Sequence, residues 1–161
     1  MKTEMDTRTS STTQNRTTTT LVPHLTCKDA IEAVAFYQKA FGAEPIVVHQ
    51  LPDGRLMHAS MSINGAMFYV VDEFPKHGGL GPKSIGGTPV SLHLQVPDCD
   101  AAFQRAVDAG CEVRMPLEDM FWGDRYGVVA DPFGHVWSIA TTVREVSPEE
   151  LQQVMANMSD C

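Results

Sequence analysis

Two histidines in matched settings, His24-Leu25 and His93-Leu94, stand 69 positions apart and are the side chains best suited to do chemistry. An imidazole titrates near neutral pH, so a histidine facing a cavity can move a proton or hold a ligand or metal. The plainer role is equally available: an interior histidine, hydrogen-bonded so as to keep neighbouring strands in register. Two such rings aimed into one cavity shift the balance towards ligand contact, because convergent polar groups in an apolar cup are the usual make-up of a binding site. The other dense stretch is Trp122-Gly123-Asp124-Arg125 with Tyr126. Here Trp122 can wall a pocket and Arg125 can pair with an anionic or carbonyl-bearing ligand. Alternatively, Asp124 and Arg125 form a loop-fixing ion pair and Trp122 is a packing anchor between subunits. If His24 or His93 is catalytic, Arg125 or Tyr126 would stabilise an enolate-like oxygen, the chemistry of a metal-independent isomerase, lyase or cyclase. No nucleophile elbow or Ser-His-Asp order points to a hydrolase.

The elements that must position these groups occur twice. At the same 69-residue offset Asp29 returns as Asp98, Ala33 as Ala102, Gly54 as Gly123 and Gly65 as Gly134. A period this long is a duplicated supersecondary unit, not a solenoid repeat. Each unit opens with an alternating strand, residues 21–27 and 90–96, whose period of two puts Ser91, His93 and Gln95 on one face. A helix follows, expected to be capped by Asp29 with Glu32 in the first copy and by Asp98 or Asp100 in the second. Gly42 and Gly110 end the two helices. Three further strands, near 44–50, 55–63 and 66–72 and then 112–115, 125–131 and 135–142, complete a βαβββ pattern in each copy. Residues 21–73 and 90–143 are thus two tandem βαβββ modules of an α+β fold with mixed sheets. The stretch 74–89, with five glycines and three prolines, reads as a connector. Residues 147–158 form an amphipathic helix opened by Ser147 and Pro148, expected to dock on the body or on a partner.

Turn lengths orient the strand side chains. A three-residue loop at Pro132-Phe133-Gly134 pairs Asp131 with His135, sets Val128 opposite Ser138 and puts Tyr126 on the same face as Ser138. For Asn64-Gly65 two lengths are open. A three-residue loop leaves His58, Ser60 and Ser62 off the face of Tyr69, and a two-residue Asn-Gly turn reverses that. Trp137 and Ile139 alternate with Ser138 and belong under the second helix; Met57 and Met61 are pocket lining or core.

The chain has 161 residues, 43% hydrophobic and 20% charged, enough for one domain's core without disulfide staples. Its net charge of −8, with no basic stripe, argues against nucleic acid as a partner. No apolar run approaches the roughly 18 residues of a membrane span. The four cysteines show no zinc or disulfide spacing and suit a reducing cytoplasm. Residues 1–20, with nine threonines and two serines, have no signal-peptide apolar stretch and read as a disordered tail.

The doubled βαβββ unit, closed by Asp131-Pro-Phe-Gly-His-Val-Trp-Ser138, resembles the vicinal oxygen chelate superfamily of glyoxalase I, fosfomycin and bleomycin resistance proteins and extradiol dioxygenases. Asp53-Gly-Arg55, Val71-Asp-Glu-Phe-Pro75, Pro89-Val-Ser-Leu-His93 and Met120-Phe-Trp-Gly-Asp-Arg-Tyr-Gly127 resemble its PhnB-like, glyoxalase-like branch. The resemblance spans Leu21 to about Glu150. It implies a homodimer whose cupped sheets surround a small-molecule ligand, and either drug sequestration or catalysis. In metal-dependent members four positions in the opening and closing strands hold the ion; here these positions fall on Val22, Tyr69, Ser91 and Ser138. None is His or Glu, so no metal site and no cofactor are expected, with His24 and His93 as the only candidates for a recruited one. Tyr69, Ser91 and Ser138 become ligand-contacting residues instead, beside Trp122, Arg125 and Tyr126.

Overall fold

The computed structural model describes residues 18–158. Most of the expected tail, and Cys161, lie outside these residues. Along the chain run β1 (His24–Cys27), α1 (Ala30–Phe41), β2 (Glu44–Gln50), β3 (Leu56–Ile63), β4 (Ala66–Asp72), the short α2 (Pro82–Ile85), β5 (Ser91–Gln95), α3 (Cys99–Ala109), β6 (Glu112–Asp119), β7 (Asp124–Ala130), β8 (Val136–Thr142) and α4 (Pro148–Ala156). They form two four-stranded sheets, ordered β1-β4-β3-β2 and β5-β8-β7-β6. In each, the opening strand runs parallel to the closing one and the other pairings are antiparallel. A parallel pair cannot be joined by a tight turn, and in each module the helix and two strands make the crossover. The fold is therefore the expected α+β pair of tandem βαβββ modules. Two details differ. The strand expected at 112–115 continues to Asp119 with register shifts along the way, and the connector holds α2 and a 3-10 turn at Pro75–His77.

The first helix is capped otherwise than its sequence suggests. Asp29 sits at φ 64° and its side chain makes no cap bond. Instead the Ala30 N–H donates to Asp72 Oδ1 at 2.9 Å, reaching across from β4. Sixty-nine residues later the Cys99 N–H donates to Thr141 Oγ1 at 2.8 Å from β8. Each closing strand thus supplies an oxygen to its own module's helix N-terminus, where backbone donors lack intrahelical partners. Asp98 does cap, accepting from Ala101 N–H at 3.0 Å. The short amphipathic α4 has Ser147 as its cap, accepting from Glu150 N–H, and none of its own residues is buried.

Both modules turn the helix-covered faces of their sheets towards one core. Phe68 on β4 and Trp137 on β8, equivalent in the repeat, meet edge to face at 5.8 Å. Around them Tyr37 and Phe41 of α1 pack on Trp137 at centroid distances of 5.6 and 4.5 Å. Trp137 therefore packs against the first module's helix, beyond its expected place under the second. At the centre lies the buried Asp131 carboxylate, which accepts from Tyr37 Oη at 2.7 Å and Trp137 Nε1 at 2.9 Å on one oxygen. Its other oxygen accepts from the backbone N–H groups of Phe133 and His135. Burial, reinforced by neighbouring Cys27 and Asp131, holds the Tyr37 phenol well above its ordinary pKa, which keeps it a donor. The buried Cys27 and Cys111 thiols are pushed up to about 12, chiefly by desolvation, and stay protonated. At the seam His135 Nε2 lies 2.9 Å from the Thr26 carbonyl, and Arg105 donates to the Gln38 and Lys39 carbonyls at the end of α1, where a cation is favoured. No described helix is long and apolar enough to cross a membrane.

Candidate functional site

With the helix faces spent on the shared core, the opposite sheet faces point away from it, and their side chains follow from register. His24 pairs with Tyr69 across β1 and β4, and His93 pairs with Ser138 across β5 and β8. These are the same two positions of the repeat, so each module places an imidazole beside the residue of its closing strand.

On the first face the deciding feature is the Asn64-Gly65 turn. Ile63 pairs with Ala66, Asn64 has φ 48° and Gly65 φ 91°, the geometry of a two-residue type I′ turn. Ser60 therefore stands opposite Tyr69, and His58 and Ser62 share that face. His58 packs on Tyr69 at 4.8 Å and approaches His24 at 6.1 Å, and His24 meets Tyr69 edge-on at 5.8 Å. His49, the register partner of His58, continues the row at 6.4 Å. Partial burial, then the neighbouring His58, lowers the His24 pKa, so its neutral form is favoured. The sequence does not single out His49, because the irregular register of β2 hides which of its residues share the face of His58.

The hairpins explain a subtlety of the repeat. The second module's turn is one residue longer, pairing Asp131 with His135 as expected. In the first module the extra residue is Met57, a bulge in β3 between the pairs Gln50–Leu56 and His49–His58. The two insertions cancel, so the 69-residue offset survives at both ends while His58 becomes the structural counterpart of Tyr126. Met57 is exposed in this bulge and Met61 is core.

On the second face, Val128 stands opposite Ser138 and Tyr126 opposite Ala140, as the turn length required. Tyr126 lies parallel to His93 at 6.1 Å and 17°, and Trp122 sits edge-on to Tyr126 at 5.7 Å. His93 is held at both nitrogens, with Nδ1 at 2.8 Å from Ser138 Oγ and Nε2 at 2.9 Å from Gln95 Oε1. Ser138 is only 3% exposed, covered by its neighbours, and Ser91 lies open at the start of β5.

Arg125, expected as a ligand-contacting residue, does not share the face of Tyr126 and His93. The alternation that puts Tyr126 on the outward face turns Arg125 towards the helix side, where its guanidinium pairs with Asp100 of α3 at 3.0 Å and Asp119 at 3.2 Å. Those carboxylates raise its already high pKa. The alternative of an Asp124–Arg125 pair fails too, since Asp124 accepts from Thr142 Oγ1 at 2.7 Å.

Hollows of about 380 and 230 Å³ follow the seam between β1 and β5; the first is lined by Ser91 and His93 among others, the second by His24, Val90 and His135. A roomier hollow, about 710 Å³, lies by Leu51, Arg55, Met57 and Phe74 and contains none of the matched residues. The side chains at the four positions that the resemblance assigns to a metal do not fit a transition metal. Val22 has no donor atom, Tyr69 and Ser91 offer neutral hydroxyls, and Ser138 Oγ is engaged by His93. Among the described residues no group of three His, Cys, Asp or Glu is arranged to hold a metal ion.

Two cupped mixed sheets, each opened and closed by neighbouring parallel strands, define a vicinal oxygen chelate protein. The chain belongs to the glyoxalase/bleomycin resistance protein/dioxygenase superfamily, whose family model matches residues 15–139, and PhnB protein is among its structural neighbours. It is 50% identical over 143 residues to the uncharacterized protein Mb0911c of Mycobacterium bovis, covering 87% of this chain and 94% of that one. The solved structure of the Arabidopsis thaliana At5g48480 product matches with a TM-score of 0.62 at 30% identity, over 76% of this chain and 98% of that one. TioX from Micromonospora sp. ML1 matches with a TM-score of 0.62 at 26% identity, over 78% and 100%.

Proposed function

We propose that the chain binds a small organic molecule in a cup formed by the first module of one copy and the second module of another. One observation carries this: each chain turns both helix faces to a shared core and presents two outward faces, each bearing an imidazole at the matched position. One half-cup offers His24, His58 and Tyr69. The other offers Ser91, His93, Trp122 and Tyr126, with Ser138 behind His93. Exposed apolar side chains on or beside the first face, Val47 and Met67, suit burial against a second copy. The metal positions carry no metal-binding set, so ligand contact in this proposal rests on rings and hydroxyls.

Complementation tests the arrangement. A metabolite and antibiotic library is screened by thermal shift, and a hit is titrated into His24→Ala, Tyr126→Ala and a refolded mixture of the two. In a cup shared between copies, the mixed dimer has one intact cup and one doubly altered cup, so the mixture regains binding that neither variant shows. A wild-type chain that stays monomeric, or a mixture that regains nothing, overturns the proposal.

A second role, catalysis without a metal by an isomerase, lyase or cyclase, is favoured by the lowered pKa of His24, which leaves a neutral base on the first face. It requires turnover of the hit, falling about 100-fold or more in His24→Ala.

A further inference from the structure

We infer that Asp124 fixes the tautomer of His93 through a one-way chain of four hydrogen bonds, which makes Asp124 a positioning residue for the second half-cup. The bonds at His93 alone are ambiguous, since each ring nitrogen can donate or accept. The ambiguity is resolved at the far end. A carboxylate accepts only, so Thr142, the register partner of Asp124, must donate its hydroxyl proton to Oδ1 over 2.7 Å. The Thr142 oxygen is then left to accept, and it takes a proton from Gln95 Nε2 at 3.0 Å. That orients the Gln95 amide, turning its Oε1 to His93 Nε2 at 2.9 Å. An amide oxygen cannot donate, so Nε2 carries the ring proton. In the neutral imidazole Nδ1 is the lone-pair nitrogen, and it accepts from the buried Ser138 hydroxyl at 2.8 Å.

This deepens the proposed function by defining what His93 offers a ligand. With both nitrogens committed to protein partners, the ring presents its π face, set parallel to Tyr126 at 17°. The first half-cup lacks the device: by the repeat, Gln95 and Thr142 are replaced by Thr26 and Glu73. His24 packs instead against Tyr69 and His58. The two matched histidines therefore do different work, His24 as a reactive or ligand-bonding imidazole and His93 as a fixed ring. Only this last consequence rests on the ligand-binding role; the tautomer does not.

The test uses the ligand-free full chain with ¹⁵N-labelled histidine, in long-range ¹H–¹⁵N correlation spectra recorded more than one pH unit above the ordinary histidine pKa of about 6.5. His135, whose Nε2 faces the Thr26 carbonyl, is the internal reference for a proton on Nε2. Wild-type His93 is expected to match it. In Asp124→Asn the new amide can donate, so the chain can run backwards. Thr142→Val cuts it. In both, the ratio of the Nε2–H to the Nδ1–H form at His93 should fall about tenfold or more, as for loss of a charge-assisted bond, while the His135 signals stay in place and report an intact fold. A wild-type His93 protonated at Nδ1, or a ratio unmoved in both variants, overturns the inference. Because no ligand is present, this result and that of the complementation experiment stand independently.

Discussion

Replacing Asp131 by Asn changes one buried oxygen to an NH₂ group and should destabilise the fold out of proportion to its size. The carboxylate receives two donors on each oxygen: Tyr37 Oη and Trp137 Nε1 on Oδ2, and the N–H groups of Phe133 and His135 on Oδ1. An amide has one acceptor oxygen. If that oxygen serves the two backbone groups, the NH₂ faces Trp137 Nε1–H, which cannot accept, although the Tyr37 hydroxyl can reverse. In the other orientation it faces two backbone donors. Either way at least one buried donor is orphaned, costing about 1–3 kcal/mol, and the surviving bonds lose their charged partner at about 1 kcal/mol each. The sum is about 4 kcal/mol, with no cavity created. For a chain of this length that lowers Tm by about 8–16 °C. Tyr37→Phe deletes one donor and leaves the other three bonded, so a loss of about 1.5 kcal/mol, or about 3–6 °C, is expected. The assay is thermal and urea unfolding followed by circular dichroism, at one protein concentration so that any association is held fixed. An Asp131→Asn protein within about 1 kcal/mol of wild type would refute the view of this carboxylate as the polar hub of both modules.

Arg125→Ala should leave ligand affinity unchanged, because the side chain lies on the helix side, and should barely move the urea midpoint, because both of its ion pairs are screened by solvent; isothermal titration with a ligand and urea unfolding check both statements, and a large affinity loss would return Arg125 to the ligand-facing side. The lowered pKa of His24 has a definite linkage sign. The unfolded chain binds this proton more readily than the folded one, so stability is undiminished above the ordinary histidine pKa and declines as pH falls below it towards the folded value. His24→Asn should flatten that part of the stability–pH curve, measured as urea midpoints, and an unchanged slope would contradict the assignment.

Where the sequence pattern is complete within a few residues, it was enough. The 69-residue echo of His-Leu, Asp and Gly gives the duplication, period-two alternation gives the strand faces, and Pro132-Phe133-Gly134 has a length that commits Tyr126 to the same face as Ser138. The Asn64-Gly65 turn left two registers open, and with them the side occupied by His58. The positive φ of both turn residues settles this in favour of the two-residue form, since each register step of one residue inverts every side chain beyond it.

Other features belong to distant partners and have no local signature. Asp29 has the composition of a cap, yet the oxygen that caps α1 comes from Asp72, 42 positions beyond the Ala30 it serves. Trp137 is legible as buried, but its neighbours Tyr37 and Phe41 are supplied by the other module. The Met57 bulge has no sequence mark because the longer turn in the second copy cancels it in the numbering. The chain itself determines which residues alternate and where the unit repeats, since these depend on backbone geometry over a few residues. The packed structure decides which sheet face is spent on the core, and so which histidines, hydroxyls and rings remain outside it. That choice is made by the burial of apolar area between segments far apart in the chain.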